Sequence, residues 1–382
     1  MSSRSPFPRK VALLCGGPST EFVVSLTSAR CVAHAIDRHR YRLRVFCVME
    51  DGSWVCPEEE WDGQTLPSRI EKLFDLLDNP EYCPTGFFKR RAPIDGIRRL
   101  SEWGCHIALP IMHGAYGEDG RLQGLLDFLQ IPYAGSGVAA SSLAMDKRRT
   151  LNFLGSHGIR TARHIILRAN TPRAHREDQL AGAGGLLNWP VVVKPSRGGS
   201  SIGTAVARDI DELYRAVTRA FESDTEVLLE EHVSGTEVTC GVLDLAEGFG
   251  GRIVCPPTEI RPRNGGFFNF DNKYRPGATD EITPAELPEG ILSRIQATAE
   301  KAHDLLGCQG MSRSDMIVPE DGQPVFLETN TLPGMTSTSL LPQGAAAIGI
   351  SFTALFTGLI EGVFETLIEK ATREEAGGAG TG

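Results

Sequence analysis

The sequence has no excess of basic residues, and this argues against a nucleic-acid-binding protein. The 382 residues include 39 Lys and Arg against 48 Asp and Glu, which gives a formal net charge of −9. Proteins that bind nucleic acids usually present a basic surface or stripe to the phosphates, and the sequence shows neither. Short basic pairs such as Arg98-Arg99 are typical of solvated helix faces. We therefore predict no nucleic-acid partner.

The cysteines lack the spacing of a metal site or a redox motif. Nine cysteines are scattered along the chain, their number is odd, and no C-x-x-C occurs. This usage predicts free thiols in a reducing cytoplasm, not zinc ligands or disulfides. No apolar h-region follows the basic first ten residues, so we predict no signal peptide.

The chain also lacks an apolar run long enough to span a membrane. Its most apolar stretch, residues 345–360, is short, contains Gly, Ser and Thr, and ends at Glu361. We interpret it as buried turns followed by a C-terminal amphipathic helix, and we predict no membrane partner. A length of 382 residues exceeds what one hydrophobic core usually supports, so two or three domains are expected.

Short apolar segments alternate with helix patterns and glycine-rich loops in the N-terminal third. The order is strand, loop, helix, strand, which predicts a parallel sheet with ligands at the carboxyl ends of its strands. Residues 51–100 show no pattern that we could organise. The predicted elements are strands at 10–14, 42–49 and 106–112, helices at 25–36 and 121–130, and loops at 15–18 and 113–120.

The most informative segment, residues 311–330, predicts a β-hairpin with its turn at Asp321-Gly322. With that turn, Asp315 lies opposite Glu328 and Arg313 lies opposite Asn330, all on one face. Opposed carboxylates about 5 Å apart repel each other unless a cation lies between them. Carboxylate and amide oxygens suit Mg²⁺ or Mn²⁺, often together with substrate phosphates. A surface ladder in which Arg313 neutralises both acids remains an alternative.

A second informative segment, residues 191–203, predicts a strand and a loop of small residues, with Lys194 at their junction. The backbone N–H groups of such a loop can surround phosphate oxygens while a lysine supplies positive charge. No G-x-x-x-x-G-K-[ST] occurs, so this is not a P-loop of the Walker type. An ordinary flexible hairpin and a mobile lid both remain open. Acids in the next predicted strand, 227–237, can accept the adenine amine or the ribose hydroxyls, or simply be exposed glutamates.

Taken in this order, these segments resemble the ATP-grasp superfamily, and specifically the D-alanine–D-alanine ligase family. The resemblance extends over nearly the whole chain, from about Val11 to Ile360. Each motif alone is weak, but their combination in one order is specific. The motifs are Gly16–Glu21, Val24–Leu26, His113-Gly114, Gly117–Gly120, Met145–Lys147, Lys194–Ser201, Lys273-Tyr274 and Glu328–Ser337.

The resemblance implies an α/β (α+β) ATP-grasp fold with an N-terminal Rossmann-like domain that contains a parallel sheet. ATP would lie between a central lid domain and a C-terminal domain. The family also suggests a cytoplasmic homodimer that supplies peptidoglycan precursors. The expected divisions are 1–136 for the N-terminal domain, 137–231 for the lid, 232–370 for the C-terminal domain and 371–382 for a disordered tail.

The resemblance further implies where the nucleotide binds. Lys147 and Lys194 would contact the ATP phosphates, and Glu230 and Glu237 would contact the adenine and the ribose. Other nucleotide contacts are implied for Ser201, Glu231, Val233, Phe267, Lys273 and Leu327.

The same resemblance implies the metal and substrate sites. Asp315, Glu328 and Asn330 would hold a pair of Mg²⁺ or Mn²⁺ ions. Glu21 would bind the ammonium group of the first D-alanine, and Ser339 would bind the carboxylate of the second. The remaining roles are oxyanion stabilisation by Arg313 and the Gly334 backbone, loop closure by Glu21, Ser200 and Tyr274, and contacts of His113 and Lys273 near the reacting carboxyl and phosphate.

These residue types match the chemistry of such a ligase. ATP converts a carboxylate to an acyl phosphate, and the charge that gathers on the phosphoryl group needs lysines and a divalent cation. The attack of the second amine creates an oxyanion that needs fixed donors, and the acyl phosphate must be shielded from water. The chain departs from the family pattern at Phe22 and Val23, where a polar or basic residue and an acid are usual, and at Gly198, where Glu is frequent.

Three alternatives remain open at the level of sequence. The first is a D-alanine–D-lactate or D-alanine–D-serine ligase, although Tyr274 occupies the place of the tyrosine in dipeptide-forming members. The second is an NAD-dependent oxidoreductase of the Rossmann type, but Pro18 interrupts the required G-x-G-x-x-G. The third is an inactive ATP-binding module, against which the complete Asp315, Glu328 and Asn330 set argues.

Overall fold

The described residues form three β-sheets, each packed against helices. The computed structural model describes residues 8–57, 71–72, 74–75, 88–199, 203–263 and 279–378. The five strands of the first sheet lie in the order β4-β3-β2-β1-β5. They are β1 (Arg9–Gly16), β2 (Tyr41–Val48), β3 (Trp54–Pro57), β4 (Phe88–Arg91) and β5 (Ile107–Pro110), with helices α1 (Phe22–Ala35), α2 (Pro93–Trp103) and α3 (Arg121–Phe128).

The predicted parallel sheet is confirmed for the three strands that face the loops of interest. Strand β1 pairs in parallel with both β2 and β5, so the loops that follow β1 and β5 leave the same edge. Strands β3 and β4 come from the segment that the sequence left unorganised, and they pair antiparallel. For β3 beside β2 the cause is the short connection from Val48 to Trp54, because a tight turn can join only antiparallel neighbours.

The second sheet is antiparallel, with the order β6-β9-β7-β8. Its buried residues, among them Val191, Val193 and Leu229, form a core of their own with the two helices that cover it. Its elements are β6 (His164–Arg168), β7 (Val191–Pro195), β8 (Ala205–Ala207), β9 (Glu226–Glu231), α6 (Arg173–Leu187) and α7 (Ile210–Ala220).

The third sheet has the order β13-β12-β10-β14-β15, with β11 paired to β10. Residues Ala140, Leu151 and Leu154 share a core with Val238 and Phe326, so the helices just after residue 137 pack on this sheet. The strands are β10 (Thr236–Asp244), β11 (Arg252–Val254), β12 (Thr258–Pro262), β13 (Thr279–Ile282), β14 (Met311–Val318) and β15 (Val325–Asn330). The helices are α4 (Val138–Met145), α5 (Lys147–Ser156), α8 (Glu289–Leu306), α9 (Leu340–Ala347) and α10 (Phe352–Gly378).

The C-terminal helix α10 joins the third sheet to the first. Its Phe356 and Ile360 are fully buried in one core with Val11 and Leu13 of β1. The carboxylate of Glu361 accepts hydrogen bonds from Arg9 Nη1 (2.5 Å) and from the hydroxyl of Tyr41 (2.5 Å). The predicted C-terminal helix is confirmed, but the predicted buried turns are not. Residues 345–347 end helix α9, and residues 346–349, at the end of that helix and the start of the connection to α10, are exposed.

The predicted disordered tail is corrected in its first part. Helix α10 continues to Gly378, whereas the sequence placed the tail at 371–382. The reason is that residues 369–376 contain several good helix formers, which continue the last turns of α10. Residues 379–382 lie outside the described part of the chain.

Among the described residues, no single helix is long and apolar enough to cross a membrane. The helices Leu340–Ala347 and Phe352–Arg373, which meet at a bend of 99°, pass that test only as a pair and only by length and composition.

Candidate active site

The predicted face-to-face pairing in the β14–β15 hairpin is confirmed. Asp315 lies opposite Glu328, and Arg313 lies opposite Asn330. Paired residues in a sheet share a face, so all four side chains leave the same side of the third sheet.

The reason given for that register was partly wrong. The hairpin has a longer loop, in which Gly322 N–H donates to Pro319 O, and is not closed by a two-residue turn at Asp321-Gly322. A β-bulge between Asp315 and Met316 then shifts the ladder, so that Met316 pairs with Phe326. The bulge compensates for the different turn and restores the predicted pairing at the end that carries the acids.

Asp315 is almost completely buried and fully hydrogen-bonded. The Arg313 guanidinium donates to both of its oxygens, at 2.9 and 3.0 Å. Thr239 Oγ1 donates to Oδ1 at 2.6 Å. Asn330 Nδ2 approaches Oδ2 at 3.4 Å. Asp315 is only 6% exposed, so the alternative of a solvated surface ladder does not describe this site.

Glu328 is paired with a lysine that comes from another element. Lys147, the first residue of α5, places its Nζ 3.0 Å from Glu328 Oε2. The same Nζ donates to Gly198 O at 2.7 Å. Asp146 caps α5 by accepting from Arg149 N–H at 3.0 Å, which fixes the start of the helix. One ammonium group therefore links the β14–β15 hairpin to the glycine-rich loop that follows β7.

A cavity of about 530 Å³ lies between the second and third sheets. Six of the positions expected to bind nucleotide contribute to its wall. Apolar side chains that the sequence did not single out complete it. The predicted members are Lys194, Glu230, Glu231, Val233, Glu237 and Leu327, and the apolar ones are Ala162, Val192, Ile260 and Ile317.

The two charges at the centre of this cavity neutralise each other. Lys194 Nζ lies 2.5 Å from Glu230 Oε2, and Glu230 is only 2% exposed. Burial alone would lower the pKa of Lys194, but the charge and hydrogen bond of Glu230 raise it. Lys194 therefore keeps its positive charge in the cavity. Glu231 differs from Glu230, because its carboxylate already accepts from Arg163 N–H and Nε at 2.9 and 2.6 Å.

Glu21 lies where the first and second sheets approach each other. It directly precedes α1 and is 8% exposed. A Cβ atom at Gly114 would lie 2.5 Å from Glu21 Oε2, and one at Gly199 would lie closer still. Only glycine at these two positions leaves room for such an approach. The loops after β5 and β7 therefore both lie in close contact with the Glu21 carboxylate.

His113 is buried with both ring nitrogens hydrogen-bonded. Its Nδ1 donates to Leu332 O at 2.8 Å, and its Nε2 accepts from Ser28 Oγ at 2.9 Å. Burial lowers the pKa of His113, which favours the neutral ring that this pattern requires. His113 thus ties the first sheet to the loop after β15, and neither nitrogen is available as an acid or base.

The loop after β15 contains the remaining described candidates. Ser339 Oγ accepts from Thr336 N–H at 3.0 Å and shares a 2.8 Å hydrogen bond with Thr336 Oγ1. A Cβ at Gly334 would lie 3.0 Å from Ser339 Oγ, so the two residues are neighbours. Ser200, Ser201, Phe267, Lys273 and Tyr274 lie outside the described residues, and their roles stay predictions.

No group of three or more His, Cys, Asp or Glu side chains with metal-binding geometry occurs in the described part of the chain. The candidate metal set is of a different composition, with two carboxylates and one amide, Asp315, Glu328 and Asn330.

Sequence reasoning missed several residues that shape this site. Arg163, Thr239, Ser28 and Glu118 each hold a candidate residue or its loop in place. Their partners are distant in sequence, so no local pattern predicted these contacts, although Glu118 lies in the quoted motif Gly117–Gly120. The apolar residues of the cavity wall show only the alternation expected of any half-buried strand, so the sequence did not distinguish them from ordinary core residues.

Two sheets that enclose a cavity with a buried lysine, beside paired acids on an antiparallel hairpin, define the class. The fold is that of the ATP-grasp enzymes, and the chain is a ligase that consumes ATP.

Comparison with known proteins identifies the family within this class. The family model described as D-ala D-ala ligase N-terminus matches residues 10–136, and the one described as D-ala D-ala ligase C-terminus matches residues 153–361. The chain therefore belongs to the D-alanine–D-alanine ligase family.

Named relatives and solved structures agree with this assignment. The D-alanine–D-alanine ligase of Leptospira biflexa is 40% identical over 362 residues, which cover 92% of this chain and 98% of that protein. The corresponding enzyme of Syntrophobacter fumaroxidans is 40% identical over 353 residues, covering 92% and 96%. The D-alanine–D-alanine ligase structure from Coxiella burnetii matches with a TM-score of 0.75 at 25% identity, covering 97% of each chain. The VanG D-Ala:D-Ser ligase from Enterococcus faecalis matches with a TM-score of 0.74 at 30% identity, covering 94% of this chain and 100% of that one.

Proposed function

We propose that this protein joins two D-alanine molecules to D-alanyl-D-alanine through an acyl phosphate, with release of ADP and phosphate. The observation that carries the proposal is the pairing of Asp315 with Glu328 beside Lys147, at the edge of a cavity that contains Lys194. The relatives named as D-alanine–D-alanine ligases support the choice of substrate.

In this proposal the nucleotide occupies the cavity between the second and third sheets. Lys194 and Lys147 neutralise phosphate charge, and Glu230 accepts from the adenine amine while Glu237 binds the ribose. The apolar walls at Val192 and Ile317 provide faces for the base. A bound structure from Bacillus anthracis supports this, since that D-alanine–D-alanine ligase was solved in complex with ATP and matches this chain with a TM-score of 0.68 at 29% identity, covering 95% of this chain and 99% of that one.

The donor set of the hairpin fits Mg²⁺ or Mn²⁺. Asp315, Glu328 and Asn330 would hold a pair of such ions, since carboxylate and amide oxygens are the ligands that hard cations prefer. Glu328 already forms an ion pair with the Lys147 ammonium group, which shows that its carboxylate can take a cationic partner. Bound ions would offset the negative charge that gathers during phosphoryl transfer.

A second set of residues acts on the amino acids. Glu21 binds the ammonium of the first D-alanine, and Ser339 binds the carboxylate of the second. Arg313 carries a permanent charge, and Arg313 and the Gly334 N–H donate to the oxyanion that forms when the amine attacks. The contact of the β7–β8 loop with Glu21 excludes water from the acyl phosphate, and Ser200 and Tyr274 would complete this closure.

The second candidate substrate pair is D-alanine with D-serine or D-lactate. The structural similarity to a D-Ala:D-Ser ligase favours keeping D-serine in view, because one pocket group can reset this choice. Tyr274, at the place of the tyrosine in dipeptide-forming members, favours D-alanine.

The biological setting is proposed on the same basis. We place the protein in the cytoplasm as a homodimer that supplies peptidoglycan precursors. We keep the domain division 1–136, 137–231 and 232–370, in which helices α4 and α5 of the second part pack on the sheet of the third. The support is the family membership and the reduced state of the described cysteines.

The test is ADP formation with each candidate second substrate. We expect D-alanine alone to support ADP release from ATP and Mg²⁺, and to do so better than D-serine or D-lactate at every pH between about 6 and about 9. Preference for D-lactate or D-serine at neutral pH would replace the substrate. Absence of any D-amino-acid dependence would reject the ligase assignment for this chain.

A further inference from the structure

A buried carboxylate that none of the roles above uses connects the two halves of the active site. Glu118 belongs to the loop between β5 and α3 and is 7% exposed. Its Oε2 accepts from Gly114 N–H at 2.7 Å, within its own loop. Its Oε1 accepts from Leu332 N–H at 3.1 Å, in the loop after β15. The Glu118 side chain thus accepts from one backbone N–H of the first domain and from one in the loop that follows the third sheet.

Each of these two peptides adjoins a residue with a proposed role. Gly114 lies against the Glu21 carboxylate, which would bind the first ammonium group. Leu332 is two residues before Gly334, whose N–H would donate to the oxyanion. The Leu332 carbonyl is held as well, because it accepts from His113 Nδ1 at 2.8 Å. Both backbone polar groups of Leu332, its N–H and its C=O, are therefore fixed by the first domain.

We infer that Glu118 is a positioning residue, which sets the Gly334 N–H in register with the ammonium site at Glu21 by holding Leu332 and Gly114 together. The inference rests on the proposed function for its kinetic consequence. Its structural consequence does not depend on that function, because the two hydrogen bonds are made within the protein itself.

Stability of the fold does not account for this carboxylate. Burial disfavours its charged form, and so does the neighbouring charge of Glu21. A glutamine of the same shape would avoid that electrostatic cost. Both oxygens of the Glu118 carboxyl can accept a hydrogen bond whether the group is ionised or protonated, whereas the amide of glutamine has a single acceptor and would turn an NH₂ group toward one of the two N–H donors. A purely structural role therefore predicts that Glu118→Gln is tolerated, whereas a positioning role predicts a loss of catalysis.

The neighbouring Asp119 provides a matched control. Its carboxylate also accepts two backbone N–H groups, from Tyr116 at 2.9 Å and from Arg121 at 3.1 Å. Both donors lie in the same loop and helix, so Asp119→Asn perturbs the loop equally without touching the connection to Leu332.

The experiment compares Glu118→Gln and Asp119→Asn in the full-length protein by two measurements. Backbone hydrogen exchange without ligands reports on the Leu332 and Gly114 amides. Steady-state kinetics report kcat and the KM values for ATP and D-alanine. We expect Glu118→Gln to speed exchange at Leu332 about tenfold or more. It should lower kcat by about tenfold to a hundredfold and leave the KM for ATP within about twofold. Asp119→Asn should change neither.

Two results would overturn the inference. One is exchange of the Leu332 and Gly114 amides at the wild-type rate in Glu118→Gln. The other is equal loss of kcat and ATP binding together with a lowered melting temperature, which would indicate general destabilisation. If the wild-type protein forms no ADP with D-alanine, the proposed function fails, and the exchange measurement still decides the role of Glu118.

Discussion

Lys147 and Glu328 form an ion pair, with 3.0 Å from Nζ to Oε2, although one begins a helix and the other lies in a strand of the third sheet. The lysine is a proposed phosphate ligand and the glutamate a proposed metal ligand. A lysine cation thus lies beside the acids, between the proposed phosphate site and the proposed metal site.

The first prediction concerns Glu328. Glu328→Gln keeps the shape of the side chain but removes the charge that metal and Lys147 share. We expect kcat for ADP formation to fall by at least about a hundredfold, because charge stabilisation of the transferred phosphoryl group is lost. Glu320→Gln, in the exposed turn of the same hairpin, is the control and should behave as wild type. Activity of Glu328→Gln within about tenfold of wild type would contradict the metal assignment.

The second prediction concerns the contact between Gly199 and Glu21. A methyl group at Gly199 would collide with the Glu21 carboxylate, so Gly199→Ala should displace either the loop or the acid. We expect the KM for the first D-alanine to rise about tenfold or more, with the KM for ATP little changed. Gly185→Ala, at a helical position with open space around it, is the matched control. An unchanged KM in Gly199→Ala would show that the loop does not press on Glu21 in solution.

The third prediction concerns pH and stability. Burial and the charge of Glu21 raise the pKa of the Glu118 carboxyl from 4.5 to about 8. Between these values the folded protein binds more protons at this site than the unfolded chain, so its contribution to stability is full below the lower value and is lost as pH rises to the upper one. The melting temperature of the wild type relative to Glu118→Gln should therefore fall from pH about 5 to pH about 8. A difference that stays constant, or rises, over that range would disprove the shift.

The fourth prediction concerns the thiols. Burial raises the pKa values of Cys255 and Cys308 to about 12, so both remain protonated and shielded at pH about 8. Cys31 is only half-buried. In the folded protein, iodoacetamide should modify Cys31 faster than Cys255 and Cys308. In denaturant it should modify all three at similar rates, as measured by peptide mass spectrometry. Modification of Cys255 as fast as Cys31 without denaturant would contradict the packing of that region.

Much of the fold followed from local pattern. Apolar runs with abrupt glycine-rich ends predicted β1, β5 and β7, because a buried strand leaves a strong signal over a few residues. The strands β3 and β4 were missed, since charged and aromatic residues interrupt their alternation and their pairing depends on a non-local partner. The ends of helices depend on small energies, and α10 extends beyond the predicted limit for that reason.

The site was predictable to the extent that its residues are neighbours in sequence. The pairing of Asp315 with Glu328 needed only one hairpin, yet the bulge beside Asp315 could not be foreseen, because nothing local distinguishes it from a regular ladder. The contacts of Glu118 and His113 with Leu332 join segments more than two hundred residues apart. Only the packing of the two domains brings such groups together.

The position of helix α10 has a consequence for biosynthesis. Phe356 and Ile360 complete the core around Val11 and Leu13. Strand β1 is synthesised long before helix α10, so its apolar face stays uncovered until α10 has been made. Until then the apolar face of the nascent N-terminal sheet is exposed to chaperones and to other nascent chains. A protein shortened before residue 352 would carry that exposed side permanently and should aggregate, even though every proposed catalytic group would still be present.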